Sequence, residues 1–180
     1  MKTTFHSRFP ALVTIDPGLY SMGWSVWNFD RMAKREPFVA AGLIRLPNAF
    51  RKLEMEERAA IMADRLDEQV FGELYQPEAL AVEYPAIFGT MGMKSAKDAM
   101  TLMFFVGQIA RTGSVRGMSV QTVPVRDWKG QLPKNLVQKR IERIFDKMEQ
   151  GSKLDLVRAD AWDAVGIGVH LKSIEGAWAW

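Results

Sequence analysis

The sequence predicts a mixed α/β domain built on a five-stranded sheet flanked by helices. Near the N-terminus two apolar runs, Ala11 to Ile15 and Gly23 to Trp27, are separated by the turn signal Asp16-Pro17-Gly18, the mark of a hairpin. Further along, short apolar runs alternate with longer stretches of helical period, the mark of strands reached through helical crossovers. Four carboxylates, Asp16, Glu83, Asp160 and Asp163, break sequence that is otherwise apolar.

Taken in order, Ala11 to Ile15 reads as a buried strand and Gly23 to Trp27 as a second with alternating faces. Phe38 to Leu46 supplies a third. Leu53, Met62, Leu66 and Val70, in charged surroundings, mark an amphipathic helix to about Tyr75, and Pro77 stops it. Ala79 to Val82 is the fourth strand, Ser95 to Arg111 a helix, and Ser119 to Val123 the fifth strand before Pro124. Pro133 opens a helix as its first-turn proline, with Val137, Ile141, Ile144, Phe145 and Met148 on one face and Gly151 past its end. The last helix spans about Arg158 to Leu171.

In such a sheet the first and fourth strands can lie side by side, which makes Asp16 and Glu83 neighbours near its centre. A spacing of three puts Asp160 and Asp163 on one face of the final helix, able to point at that sheet edge. Taken alone, Asp160 reads as a helix cap, a role for which Asp155 competes. Taken together, four carboxylates among apolar residues point to a metal site, because a buried carboxylate is costly unless paired or metal-bound.

The chain has 180 residues, 48% of them apolar, which suits a single domain over residues 1–180 with no long linker or internal repeat. It has no cysteine and two histidines, His6 and His170. Disulfides, thiolate catalysis and cysteine-ligated zinc are excluded, and any metal is bound by oxygen, favouring Mg²⁺ or Mn²⁺. Met1 to Pro10 lacks a long apolar core and no apolar segment reaches membrane-spanning length. The expectation is a soluble, cytoplasmic protein with no membrane partner.

A net charge of +3 and a pI near 9.2 favour an anionic partner. Acids concentrate in Glu54 to Glu78, whereas Arg111 to Arg143 is rich in Lys and Arg, including Arg126, Lys129, Lys134, Lys139 and Arg140. A basic surface beside an acidic pocket suits a phosphodiester substrate.

The element order is the layout of the ribonuclease H-like fold. Ile15-Asp-Pro-Gly-Leu-Tyr-Ser-Met-Gly-Trp24, Ala81-Val-Glu83 and Ala159-Asp-Ala-Trp-Asp-Ala-Val-Gly-Ile-Gly-Val-His170 resemble, in order, the three acidic motifs of RuvC-type Holliday junction resolvases. The resemblance implies a crossover junction endodeoxyribonuclease with two Mg²⁺ (or Mn²⁺) ions about 3.5–4 Å apart, cutting by in-line hydrolysis to leave 5′-phosphate and 3′-hydroxyl ends. Asp16 would bridge the ions, Glu83 complete one shell, and Asp160 with Asp163 complete the other. Leu132-Pro-Lys-Asn-Leu-Val-Gln-Lys139 resembles the stretch that carries an active-site lysine, implying that role for Lys134.

The family also tends to carry a basic residue just before the fifth strand's Gln-Thr-Val motif, where this chain has Val120, leaving Lys129 or Arg126 to replace it in space. The segment from Tyr84 to Gly92 is closer to divergent viral resolvases, which points to a phage origin and the host cytoplasm. A four-way junction is the substrate the resemblance implies, with flaps, forks or RNA–DNA hybrid as the alternative.

Arg126, Lys129 and Lys134, with Lys94 and Lys97 at the start of a helix, are candidates to track phosphates of branched DNA. Tyr84 and Phe88 are candidates to stack on an unpaired base, or else pack in the core. The helix from Ser95 to Arg111 is apolar around most of its circumference. The resemblance implies a homodimer through it, with Met100, Met103 and Phe104 at the interface; burial within one subunit is the other reading. Trp178 and Trp180 either dock on the core or extend into solvent. A phosphotransfer enzyme of the actin and sugar-kinase class shares an Asp-x-Gly turn, yet needs a second domain and phosphate loop that this length does not supply.

Overall fold

The computed structural model describes residues 11–28, 37–72, 77–84, 96–148, 150–154, 157 and 161–174, with the backbone alone at 96–99, 152 and 174. Asp160, Phe88, Lys94, His6, Trp178 and Trp180 lie outside the described residues, and for Lys97 only its place in a helix is described.

The strands are β1 (Ala11–Asp16), β2 (Ser21–Asn28), β3 (Phe38–Arg45), β4 (Ala79–Tyr84) and β5 (Ser119–Pro124), in the order β3-β2-β1-β4-β5. β1 pairs antiparallel with β2 and parallel with β4, β2 antiparallel with β3, and β4 parallel with β5. This is the mixed sheet that the sequence predicts, with the first and fourth strands adjacent at its centre. The Asp16-Pro17-Gly18 turn is tight: a Cβ on Gly18 would collide with the Ser21 carbonyl, so only glycine fits.

The helices are α1 (Met55–Gln69), α2 (Ala96–Val115), α3 (Val125–Trp128), α4 (Lys134–Lys147), α5 (Gly151–Leu154) and α6 (Trp162–Ile174). Leu66, Val70, Ile109 and Phe105 belong to the core on the α1 and α2 side of the sheet, with Val13, Ile15 and Val82. Trp27, Phe38, Phe145, Ile141 and Val165 belong to the core on the α4 and α6 side. There Trp27, Phe38 and Phe145 meet edge to face, with centroids 5.0–6.0 Å apart.

Several boundaries differ from the sequence expectation. α1 stops well before Tyr75, because the Val70 and Phe71 N–H groups both return to the Leu66 carbonyl and close the helix. Its start is fixed by a capping box between Glu54 and Glu57. α2 runs a turn beyond Arg111 and is followed by Gly117 at φ +79°. Pro133 caps α4 rather than opening its first turn, and Gly151 starts α5. α3 had no counterpart in the sequence reading, being one turn without measurable period.

Candidate active site

β1, β4 and β5 run parallel, so their carboxyl ends share one edge of the sheet. Asp16 closes β1 opposite Gly23, and Glu83 stands in β4 opposite Val123. α6 crosses this part of the sheet with Asp163 in its first turn. Three of the four sequence-predicted carboxylates therefore converge. Burial, then the negative charges of Asp16 and Asp163, push the Glu83 carboxyl from its ordinary 4.5 up to about 8, against smaller opposing effects of Lys129 and Trp128.

α3, which follows β5 and packs against α6, braces this cluster. Trp128 Nε1 donates a 2.9 Å hydrogen bond to Glu83 Oε2, and Lys129 Nζ donates one of 2.9 Å to Asp163 Oδ2. The Trp128 ring is clamped by α6: a Cβ on Gly166 would stand 2.5 Å from its Cζ3. Lys129, a candidate both for the DNA-binding surface and for the basic residue missing at Val120, reaches the carboxylates. Arg126 is exposed and pairs at 3.4 Å with Asp127. Lys134, expected at the active site, is exposed at the first position of α4, and a second lysine, Lys129, stands beside Asp163. Tyr84, half-buried, ends β4 opposite Pro124.

The sequence reading missed a polar knot in the core that sets the height of α6. Thr14 Oγ1 and Ser25 Oγ lie 2.5 Å apart and stand 2.7 and 3.1 Å from the Ala164 carbonyl; with one proton each, one hydroxyl donates to the other and that one donates to the carbonyl. Trp27 Nε1 donates to Ser25 Oγ at 2.7 Å. Gly168 lets Trp27 reach this place, since any side chain there would overlap the indole. The residue held, Ala164, directly follows Asp163. Buried hydroxyls on adjacent strands were the available signal.

Among the described residues, no three His, Cys, Asp or Glu side chains are set to hold a metal ion by themselves. The donor chemistry nonetheless suits a hard divalent cation: the carboxylates repel one another, and Asp163 Oδ1 is buried without a hydrogen-bond partner. A cation would relieve both. Asp160, the fourth predicted ligand, lies outside the described residues.

The fold is similar to that of Thermus thermophilus RuvC in complex with a Holliday junction substrate, with a TM-score of 0.65 at 18% identity, covering 93% of this chain and 97% of that one. The chain has the ribonuclease H-like fold of the RuvC-type resolvases. A second T. thermophilus RuvC structure gives 0.62 at 17% identity over the same shares. A fowlpox virus resolvase in complex with Holliday junction DNA gives 0.54 at 14% identity, covering 90% of this chain and 99% of that one. No protein-family model and no curated protein matches the sequence. Among the described residues, no helix of this resolvase fold is long and apolar enough to cross a membrane.

Proposed function

We propose that the chain is a metal-dependent endonuclease that cuts four-way DNA junctions by paired, symmetric nicks. The observation that carries this reading is the convergence of Asp16, Glu83 and Asp163 at the carboxyl edge of a resolvase-type sheet. Asp16, Glu83, Asp160 and Asp163 would hold Mg²⁺ or Mn²⁺. When bound, two such ions supply an activated water and stabilise the leaving 3′ oxygen.

The remaining work belongs to the chain itself. Trp128 fixes one oxygen of Glu83, and the Thr14–Ser25 knot fixes the start of α6. Lys129 neutralises part of the negative charge and offers a cation to the phosphate as charge grows on it. Lys134, exposed at the start of α4, would neutralise charge growing on the phosphate, Arg126 would bind phosphate, and Lys94 and Lys97 are further phosphate-binding candidates. Tyr84 and Phe88 meet the branch point.

A homodimer supplies the second nick. Met100, 73% exposed, and Phe104, 37% exposed, stand one turn apart on α2 with Met103 between them. The opposite side of α2 is buried through Phe105, Val106 and Ile109. A two-fold axis through this stripe would present two sites to a two-fold junction.

The test is cleavage of a labelled four-way junction beside linear duplex, flap and RNA–DNA hybrid, with Mg²⁺, with Mn²⁺ and with chelator. Paired metal-dependent nicks with ligatable ends, confined to the junction, are expected. Cutting of flap or hybrid alone would overturn the choice of substrate.

A further inference from the structure

We propose that Tyr20, Arg51 and Arg58 form a second phosphate-binding surface, on the opposite flank of the carboxylates from Lys129, that holds an arm of the branched DNA. The inference rests on the nuclease reading and extends it to a part of the chain outside the basic segment Arg111 to Arg143.

The topology puts these residues at the catalytic edge. Tyr20 lies in the β1–β2 turn, shortly after Asp16, and its carbonyl accepts a 3.0 Å hydrogen bond from Leu46 N, just past the end of β3. β2 begins and β3 ends at this edge, with Ser21 opposite Arg45. In the order β3-β2-β1-β4-β5 the Tyr20 side is flanked by β2 and β3, whereas Lys129 follows β5. Asp16 and Glu83, on the two central strands, stand between the flanks.

Two guanidinium groups gather on one exposed ring. Arg51 Cζ lies 5.7 Å and Arg58 Cζ 5.3 Å from the Tyr20 ring centroid, and Tyr20 is 46% exposed. Among the described residues no carboxylate pairs with either guanidinium, although Glu54, Glu56 and Glu57 are close in sequence. Glu54 and Glu57 are engaged in the capping box. Arg58 Nε is buried without a partner.

Stability alone does not select this arrangement. Arg58 sits near the start of α1, where the helix dipole disfavours a cation. Two like charges around one ring also repel each other. An anion between them would offset both costs, and a guanidinium fork matches phosphodiester oxygens. Tyr20 supplies the platform that orients the forks. Cations on both sides of the carboxylates let a branched substrate rest on two supports while its scissile strand crosses the edge.

The test is binding of a fluorescent four-way junction, in chelator, as a function of salt, for the wild-type chain, Arg51→Gln, Arg51→Glu and Tyr20→Leu, with thermal melts to establish folding. Loss of one phosphate contact in Arg51→Gln should weaken binding and flatten the slope of log K against log salt by about 0.9. Arg51→Glu should weaken binding further, and Tyr20→Leu should do so with no change in net charge. Wild-type binding with unchanged affinity and slope in the folded Arg51 variants would overturn this inference and leave the nuclease reading intact. A wild-type chain that neither binds nor cuts the junction would overturn both.

Discussion

Lys129 Nζ donates a 2.9 Å hydrogen bond to Asp163 Oδ2, and the same ammonium eases the charge on Glu83. One lysine at the C-terminal cap of a single-turn helix therefore serves two carboxylates that come from β4 and α6. Lys129→Met should lower kcat for junction cleavage by about 10²–10³-fold, the range for loss of one preorganised donor to a charged transition state. Single-turnover kinetics at saturating enzyme would read this directly. An unchanged rate would leave Lys129 a purely structural ion pair.

Trp128→Phe removes the donor to Glu83 while keeping a ring against Gly166. The loss of a hydrogen bond to a charged group should cost about 1.5–3 kcal/mol in the state where Glu83 is ionised. Urea unfolding at pH 9 and at pH 5 should show the larger loss at pH 9, where the carboxylate is ionised.

The raised Glu83 pKa sets a pH dependence of stability in metal-free protein. Between about 4.5 and about 8 the folded chain keeps a proton on Glu83 that the unfolded chain releases. This group's contribution to stability therefore falls as pH rises through that window and levels off above it. Melting temperatures in chelator should fall more steeply across this range for the wild type than for Glu83→Gln. Equal slopes would contradict the shift.

Thr14→Val removes the hydroxyl that bonds Ser25 Oγ and the Ala164 carbonyl in the core. Destabilisation of about 1–3 kcal/mol is expected from chemical denaturation. Because Asp163 precedes the carbonyl that is held, the same variant should also need a higher Mg²⁺ concentration for half-maximal cleavage.

The strands that carry Asp16 and Glu83 were legible because each is an apolar run that ends in an acid, and sheet order then made the two neighbours. The lysine was harder. The segment around Lys134 carries the local pattern of the resemblance, and α4 begins there with the Lys134 side chain exposed. Lys129 reaches Asp163 because Pro124 is followed by one helical turn, too short to give a periodic signal. Trp128 carried a usable hint, since a buried indole N–H requires an acceptor. Thr14 and Ser25 carried another, as hydroxyls within otherwise apolar strands. The end of α1 was obscured by Val70, which continues the apolar period although its N–H already belongs to the closing turn.

The most direct test of the account compares the wild-type chain with Asp16→Asn on one labelled four-way junction in Mg²⁺, with binding measured in parallel. The account predicts paired nicks by the wild type, none by Asp16→Asn, and junction affinity retained in the variant, because a ligand is lost at little cost in shape. Cleavage by Asp16→Asn at the wild-type rate would contradict the carboxylate site at the sheet edge.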